Sequence, residues 1–248
     1  MRIDVFLAQH NLAKSRTEAK QLIESGAVYY KHSVVKTASF LVSDDALPEQ
    51  VEIVREGIAF VSRGGIKLEG ALKQFKVDPR GQVCLDIGAS SGGFTHCLLM
   101  HGAQMVYAVD VGEGQLHSSL KQDARVVSIE HFNARYMKPT DFPQTPIFAV
   151  MDVSFISQTL ILPALYHVLG ETGQAITLVK PQFELTRSSL NRHGIVKDKQ
   201  MLDVALERVV SSAKSIGFAV LDTMQSPIQG GDGNIEFLIH LKKENNHG

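Results

Sequence analysis

From residue 83 onward, short apolar runs alternate with stretches whose apolar residues recur at helical spacing. The predicted strands are 83–86, 105–109, 126–130, 147–151, 175–179, 218–224 and 235–241, and a long helix over 198–216 carries Leu202, Ala205, Leu206, Val209 and Ala213 on one face. Ahead of them, Leu68, Ala71, Leu72 and Phe75 fall at i, i+3, i+4 and i+7, which predicts an amphipathic helix over 65–76. Parallel strands need crossover connections, and crossovers of one hand place helices on both faces of a sheet. The alternation therefore predicts an α/β fold, a doubly wound Rossmann-like sheet.

Residues 1–58 follow a different pattern and predict a small α+β domain, leaving 59–248 for the sheet. Two short helices are expected at 2–9 and 15–25, the second opened by Ser15 with Glu18 three residues on as a capping box. Gly26 stops that helix, and short strands are expected at 27–30, 34–35 and 51–54, punctuated by Asp44-Asp45 and Pro48. The net charge of −1 hides an uneven distribution. Residues 1–36 hold Arg2, Lys14, Arg16, Lys20, Lys31 and Lys36 against Asp4, Glu18 and Glu24, whereas 37–58 hold five acids against Arg55. A basic head on a neutral body fits a polyanion-binding module, and equally a solvated helix face. No apolar run approaches the roughly 20 residues that span a bilayer, and residues 1–11 lack the apolar core of a signal peptide. Cys84 and Cys97 match neither a disulfide framework nor a zinc pattern, so they read as small core residues in a cytoplasmic protein and no metal is expected.

The segment Asp86-Ile-Gly-Ala-Ser-Ser-Gly-Gly-Phe-Thr95 sits between the first strand and a helix expected at 96–101. Glycines at 88, 92 and 93 suggest close approach of a ligand to the backbone, and the helix start offers free N–H groups. The spacing is not that of a dinucleotide fingerprint, and an acid before the first glycine suits an ammonium better than a pyrophosphate. Asp110, at the end of the second strand, is placed to accept hydrogen bonds from ribose hydroxyls. These features favour S-adenosylmethionine, with its aminoacid tail at Asp86 and Gly88. Asn133, after the third strand, either reads the adenine edge or makes a plain turn.

Four charged residues stand where apolar strands and helices meet. Lys67 opens the first helix of the sheet domain, Asp152 and Lys180 end the fourth and fifth strands, and Glu236 interrupts the last. Singly, each has a plain explanation as a cap, a solvated charge or half of a surface ion pair. Together they point to one crevice, because the carboxyl ends of such strands line the ligand-binding edge and buried charges must be paired.

At this point the segments Ser62-Arg-Gly-Gly-Ile-Lys-Leu, Asp86 to Thr95, Ala-Val-Asp110-Val-Gly, Asp152-Val-Ser-Phe-Ile-Ser, Leu-Val-Lys180-Pro-Gln-Phe-Glu and Gly-Asn-Ile-Glu236-Phe-Leu can be read as a set. The set closely resembles the TlyA (haemolysin A-like) family of ribosomal RNA 2′-O-methyltransferases, relatives of the FtsJ/RrmJ ribose methyltransferases. The head, with Arg2-Ile-Asp, Ser15-Arg16 and Gly26-Ala-Val, resembles an S4 RNA-binding domain. The resemblance covers essentially the whole chain. It implies S-adenosylmethionine as cofactor, ribosomal RNA or ribosomal subunits as partner, and a cytidine ribose as acceptor. A catalytic tetrad is implied at Lys67, Asp152, Lys180 and Glu236. Cofactor contacts are expected from Asp86, Gly88, Ser90, Gly92, Gly93, Phe94, Thr95, Asp110, Val111 and Asn133, and RNA contacts from Lys14, Ser15, Arg16, Lys20 and Arg63. His96, Glu113 and the segment 185–196 depart from the family pattern.

The chemistry explains the residue types. A ribose hydroxyl is a poor nucleophile, so it must be held in line with the methyl group and its proton removed. A lysine with an ordinary pKa of about 10.4 is a weak base at neutral pH, and burial or a second lysine lowers that value. Lys180 is expected to accept the proton, Asp152 to orient it, and Lys67 with Glu236 to set the local charge. Amino-directed methylation would call for an Asn/Asp-Pro-Pro-aromatic motif, which 152–155 lacks, and carbon-directed methylation for a cysteine nucleophile. Two other classes compete: a membrane-active cytolysin, which needs an amphipathic or spanning segment, and an inactive RNA-binding ribosome-assembly factor.

Overall fold

The computed structural model describes residues 1–24, 26–31, 33–43, 46–53 and 60–244. The chain divides into two compact units, Met1–Ala59 and Phe60–Gly248. The Asp44-Asp45 turn, the end of the strand expected at 51–54 and the domain boundary expected at residue 58 lie outside the described residues.

The first unit contains helices α1 (Ile3–Gln9) and α2 (Arg16–Glu24) and strands β1 (Val28–Tyr30), β2 (Ser33–Val34) and β3 (Val51–Ile53). The strands form an antiparallel sheet in the order β2-β1-β3. Ile3, Phe6 and Leu7 of α1 and Ala19 and Ile23 of α2 recur at helical spacing and are buried together against Val28 and Val51. Ser15 Oγ accepts from the Glu18 N–H at 3.1 Å, while the Glu18 carboxylate accepts from the Lys14 N–H rather than that of Ser15. The capping box is thus displaced by one residue.

The second unit begins with α3 (Gly64–Phe75) and continues through β4 (Val83–Ile87), α4 (Gly93–Met100), β5 (Met105–Val109), α5 (Ser118–Lys121), β6 (Val126–Ile129), β7 (Phe148–Met151), α6 (Leu162–Val168), β8 (Gln174–Val179), α7 (Pro181–Glu184), α8 (Lys199–Ile216), β9 (Phe218–Gln225) and β10 (Phe237–Lys243). Seven strands form one sheet in the order β6-β5-β4-β7-β8-β10-β9. β4 to β8 are parallel, and β10 runs antiparallel between β8 and β9. Strand alternation divides the core: Leu85, Ile87, Tyr107 and Val109 face α6 and α8, while Cys84, Val106 and Ala108 face α3 and α4. The strand order reverses at β4 and β7, which is where a doubly wound sheet opens its ligand crevice.

Most element ends fall within two residues of expectation, and three of the differences bear on the site. β4 runs one residue further, so Asp86 lies inside the strand and is fully buried. α4 starts at Gly93 instead of residue 96, which brings Thr95 into its first turn. β10 starts at Phe237, so Glu236 precedes the strand instead of interrupting it.

Candidate active site

Lys67 lies in the first turn of α3, and its Nζ donates to Glu236 Oε2 at 2.5 Å. Both side chains are nearly inaccessible, at 8% and 2% exposure. Asp152 follows β7 and Lys180 follows β8; these strands are parallel neighbours, so their carboxyl ends lie side by side. Lys180 Nζ lies 2.6 Å from Asp152 Oδ1 and directs a hydrogen bond to Ser154 Oγ at 2.9 Å. Pro181 occupies the first position of α7, where its missing N–H costs nothing, so the strand turns into a helix immediately after Lys180. In the β8–β10 ladder Phe237 opposes Val179, which brings Glu236, one step outward, beside Lys180. The four charges form two ion pairs at one edge of the sheet.

The other end of the crevice is built around Asp86 and Asp110. Thr95 Oγ1 donates to Asp86 Oδ2 at 2.6 Å, while Asp86 Oδ1 has no hydrogen-bond partner among the described residues. Burial pushes the Asp86 carboxyl up to about 7, opposed by the Thr95 hydroxyl and reinforced by Asp152. Asp110 is held by the N–H groups of Ser90 and Gly112, each at 2.8 Å, and helps line a small pocket with Ser90, Gln115, Leu116 and Glu130. The glycines of this loop also stand where the protein packs closely on itself. A Cβ at Gly88 would lie 2.4 Å from the Asp152 carbonyl oxygen, one at Gly92 2.2 Å from Leu120, and one at Gly93 2.2 Å from Ser62 Oγ. They let the segment after β7, α5 and the residues leading into α3 close onto the loop. Phe94 is buried, Val111 is exposed, and the Asn133 side chain caps a short 3-10 turn by accepting from Arg135 N–H at 3.1 Å.

Residues 60–243 match the family of FtsJ-like methyltransferases. The chain belongs to that family. Residues 1–46 match the S4 domain. YqxC of Bacillus subtilis, a candidate rRNA methyltransferase, is 45% identical over 97% of this chain and 85% of its own length. The 16S/23S rRNA (cytidine-2′-O)-methyltransferase TlyA of Mycobacterium tuberculosis is 38% identical over 98% of this chain and 90% of its own. A candidate haemolysin from Streptococcus thermophilus superposes with a TM-score of 0.77 at 43% identity, covering 99% of this chain and 89% of that one. S-adenosylmethionine is the cofactor of this FtsJ-like methyltransferase. The residues present fit that cofactor, because Asp86 Oδ1 is a buried acceptor without a donor and an ammonium would satisfy it.

Other features of the FtsJ-like unit escaped the sequence reading. Phe155 is 91% exposed and holds a φ of +63°, which a bulky side chain rarely adopts, and its ring lies 5.1 Å from that of Phe183. Glu184 is buried and accepts from Ser157 Oγ at 2.5 Å and from the Gln158 N–H at 2.9 Å, tying the segment after Asp152 to the helix after Lys180. Its carboxyl is raised by burial, against the pull of those two donors. His96 Nδ1 accepts from the Val61 N–H at 3.2 Å, and burial, then the charge of His117, lowers its pKa. Each of these stands inside a motif, yet nothing in residue type or spacing announces the contact. Arg63 donates to the Gln229 carbonyl at 2.7 Å. In the S4 unit Lys14, Ser15, Arg16 and Lys20 are exposed, and Arg16 donates to the buried Asp4 at 3.0 Å. Among the described residues, no helix is long and apolar enough to cross a membrane.

Proposed function

We propose that this chain transfers a methyl group to a ribose 2′-hydroxyl of ribosomal RNA, at a cytidine, in the cytoplasm. The observation that carries the reading is the pairing of Lys67 with Glu236 and of Lys180 with Asp152 at one sheet edge. S-adenosylmethionine supplies an electrophilic methyl group on a sulfonium. Asp86 would hold its ammonium, Asp110 its ribose hydroxyls, and Gly88, Ser90, Gly92, Gly93, Phe94, Thr95, Val111 and Asn133 would wall the site. Lys180 would take the proton of the ribose hydroxyl as the hydroxyl oxygen bonds to the methyl carbon and the carbon–sulfur bond breaks, the sulfur leaving as a neutral thioether. Asp152 stabilises the positive charge that then develops on Lys180, and Ser154 fixes the direction of its Nζ. Lys67 and Glu236, buried and paired, would set the local charge of the cleft.

Phe155 supports a substrate that is a nucleotide. An exposed ring held at positive φ beside the Lys180 segment offers a face on which an unstacked base can lie, and base–aromatic stacking contributes about 1–3 kcal/mol. Lys14, Ser15, Arg16 and Lys20 would bind phosphates, with Arg63 adding a contact from the methyltransferase unit.

The test is methyl transfer from labelled S-adenosylmethionine to ribosomal subunits lacking ribose methylation, with the site mapped by resistance to alkaline cleavage. The Lys180→Ala variant should lose turnover while keeping cofactor affinity. Wild-type protein that binds RNA without transferring methyl groups would support the assembly-factor reading. Leakage of liposomes by the purified chain would support the cytolysin reading.

A further inference from the structure

Cys97 and His101 stand four residues apart at the carboxyl-terminal end of α4, so they share one helix face. Glu69 of α3 meets them. One ligand atom from each of the three side chains lies within 4.8 Å of the other two. His101 Nε2 is 2.5 Å from Glu69 Oε2, and Cys97 Sγ is 3.7 Å from the same oxygen. A tetrahedral ion with bonds of about 2.3 Å to sulfur and 2.0 Å to nitrogen or oxygen separates its ligands by roughly 3.3–3.5 Å. Rotamer-scale adjustment of the half-exposed Glu69 and His101 reaches those edges. Cys97 is buried, while its two partners open to solvent and provide a path for an ion.

We propose that Glu69, Cys97 and His101 bind a divalent transition metal of the zinc class, with solvent as the fourth ligand. Sulfur, nitrogen and oxygen donors together select such an ion over magnesium or calcium. The negative end of the α4 dipole adds a favourable field for a cation. On binding, the Cys97 thiol releases its proton to solvent as the metal–sulfur bond forms. The ion would lock α3, which carries Lys67, onto α4, which carries Gly93 to Thr95, without touching any reacting atom. The site is independent of the proposed methyl transfer.

Cobalt(II) chloride, titrated into the full chain after dialysis against chelator, tests this by absorption. Wild-type protein should develop a thiolate-to-cobalt charge-transfer band that saturates at one equivalent and is displaced by zinc. Cys97→Ala and His101→Gln should each lose the band, and zinc should raise the Tm of the wild type but not of His101→Gln. Absence of the band in wild type overturns the proposal, as does its persistence in Cys97→Ala, which would implicate Cys84. Should Cys97→Ala fail to fold, the part-exposed His101→Gln decides: an unchanged band there also overturns it.

Discussion

At the scale of single residues, Asp86 and the Lys67–Glu236 pair carry opposed costs. Burial raises the Asp86 carboxyl to about 7, whereas an unfolded chain ionises it near pH ~4. The cofactor-free protein therefore loses stability as pH climbs from about 4 to about 7, and carries the full cost of the buried charge above that. Asp86→Asn removes the charge. Its Tm should lie close to wild type at pH 4 and exceed it at pH 8, by roughly 2–4 °C per kcal/mol relieved, while calorimetry finds cofactor binding greatly weakened. An equal Tm difference at both pH values would refute the assignment. Lys67 and Glu236 behave oppositely under mutation. Glu236→Ala strands a buried ammonium and should cost about 3–5 kcal/mol in urea unfolding. Lys67→Met combined with Glu236→Leu should recover most of that stability and still transfer no methyl groups. An active double variant would mean that the pair serves only the fold.

At the scale of elements, the sheet was legible because each parallel strand is a near-continuous apolar run between polar turns. That follows from burial on both faces. The strand ends were legible to within a residue or two, and there the errors had physical causes. Gly93 disfavours a helix by propensity, yet α4 begins with it, because only a residue without Cβ lets Ser62 and Gly64 approach so closely. Glu236 looked like a charge inside a strand because an antiparallel strand enters the crevice with its amino end, reversing the order of site and apolar run. The coupling of Asp152 to Lys180 was legible as shared strand ends, whereas Glu184 was not, since its contacts are long-range and its type is common. Glu184 should act as a positioning residue. Glu184→Ala frees Ser157 and Gln158, and is expected to lower kcat for methyl transfer by more than about tenfold with a smaller change in KM. Glu184→Gln, which keeps one acceptor oxygen, should restore a large part of the rate. Loss of KM alone would place Glu184 in substrate binding.

At the scale of the whole molecule, there are two units with separate cores and a net charge of only −1. Attraction to RNA would have to come from local clusters, and Lys14, Arg16 and Lys20 form one on and before α2. Arg16 would do two jobs. Burial would raise the Asp4 carboxyl, but hydrogen bonds from Arg16 and Arg2 more than offset this and hold it low. A depressed carboxylate stabilises above its unfolded pKa and loses that contribution as pH falls through the folded value. Arg16→Ala should therefore lower both RNA affinity and Tm at neutral pH, with the Tm loss fading in acid. Lys14→Ala with Lys20→Ala avoids that confusion, because both side chains are exposed and neither is needed by the core. Each phosphate contact contributes about 0.7–0.9 to the slope of log affinity against log salt, so this double variant should flatten the slope by about 1 to 2. Cofactor affinity should stay unchanged, since Asp86 and Asp110 belong to the other unit. An unaltered slope would remove the S4 unit from RNA capture and leave Arg63 and Phe155 to explain how the substrate is held.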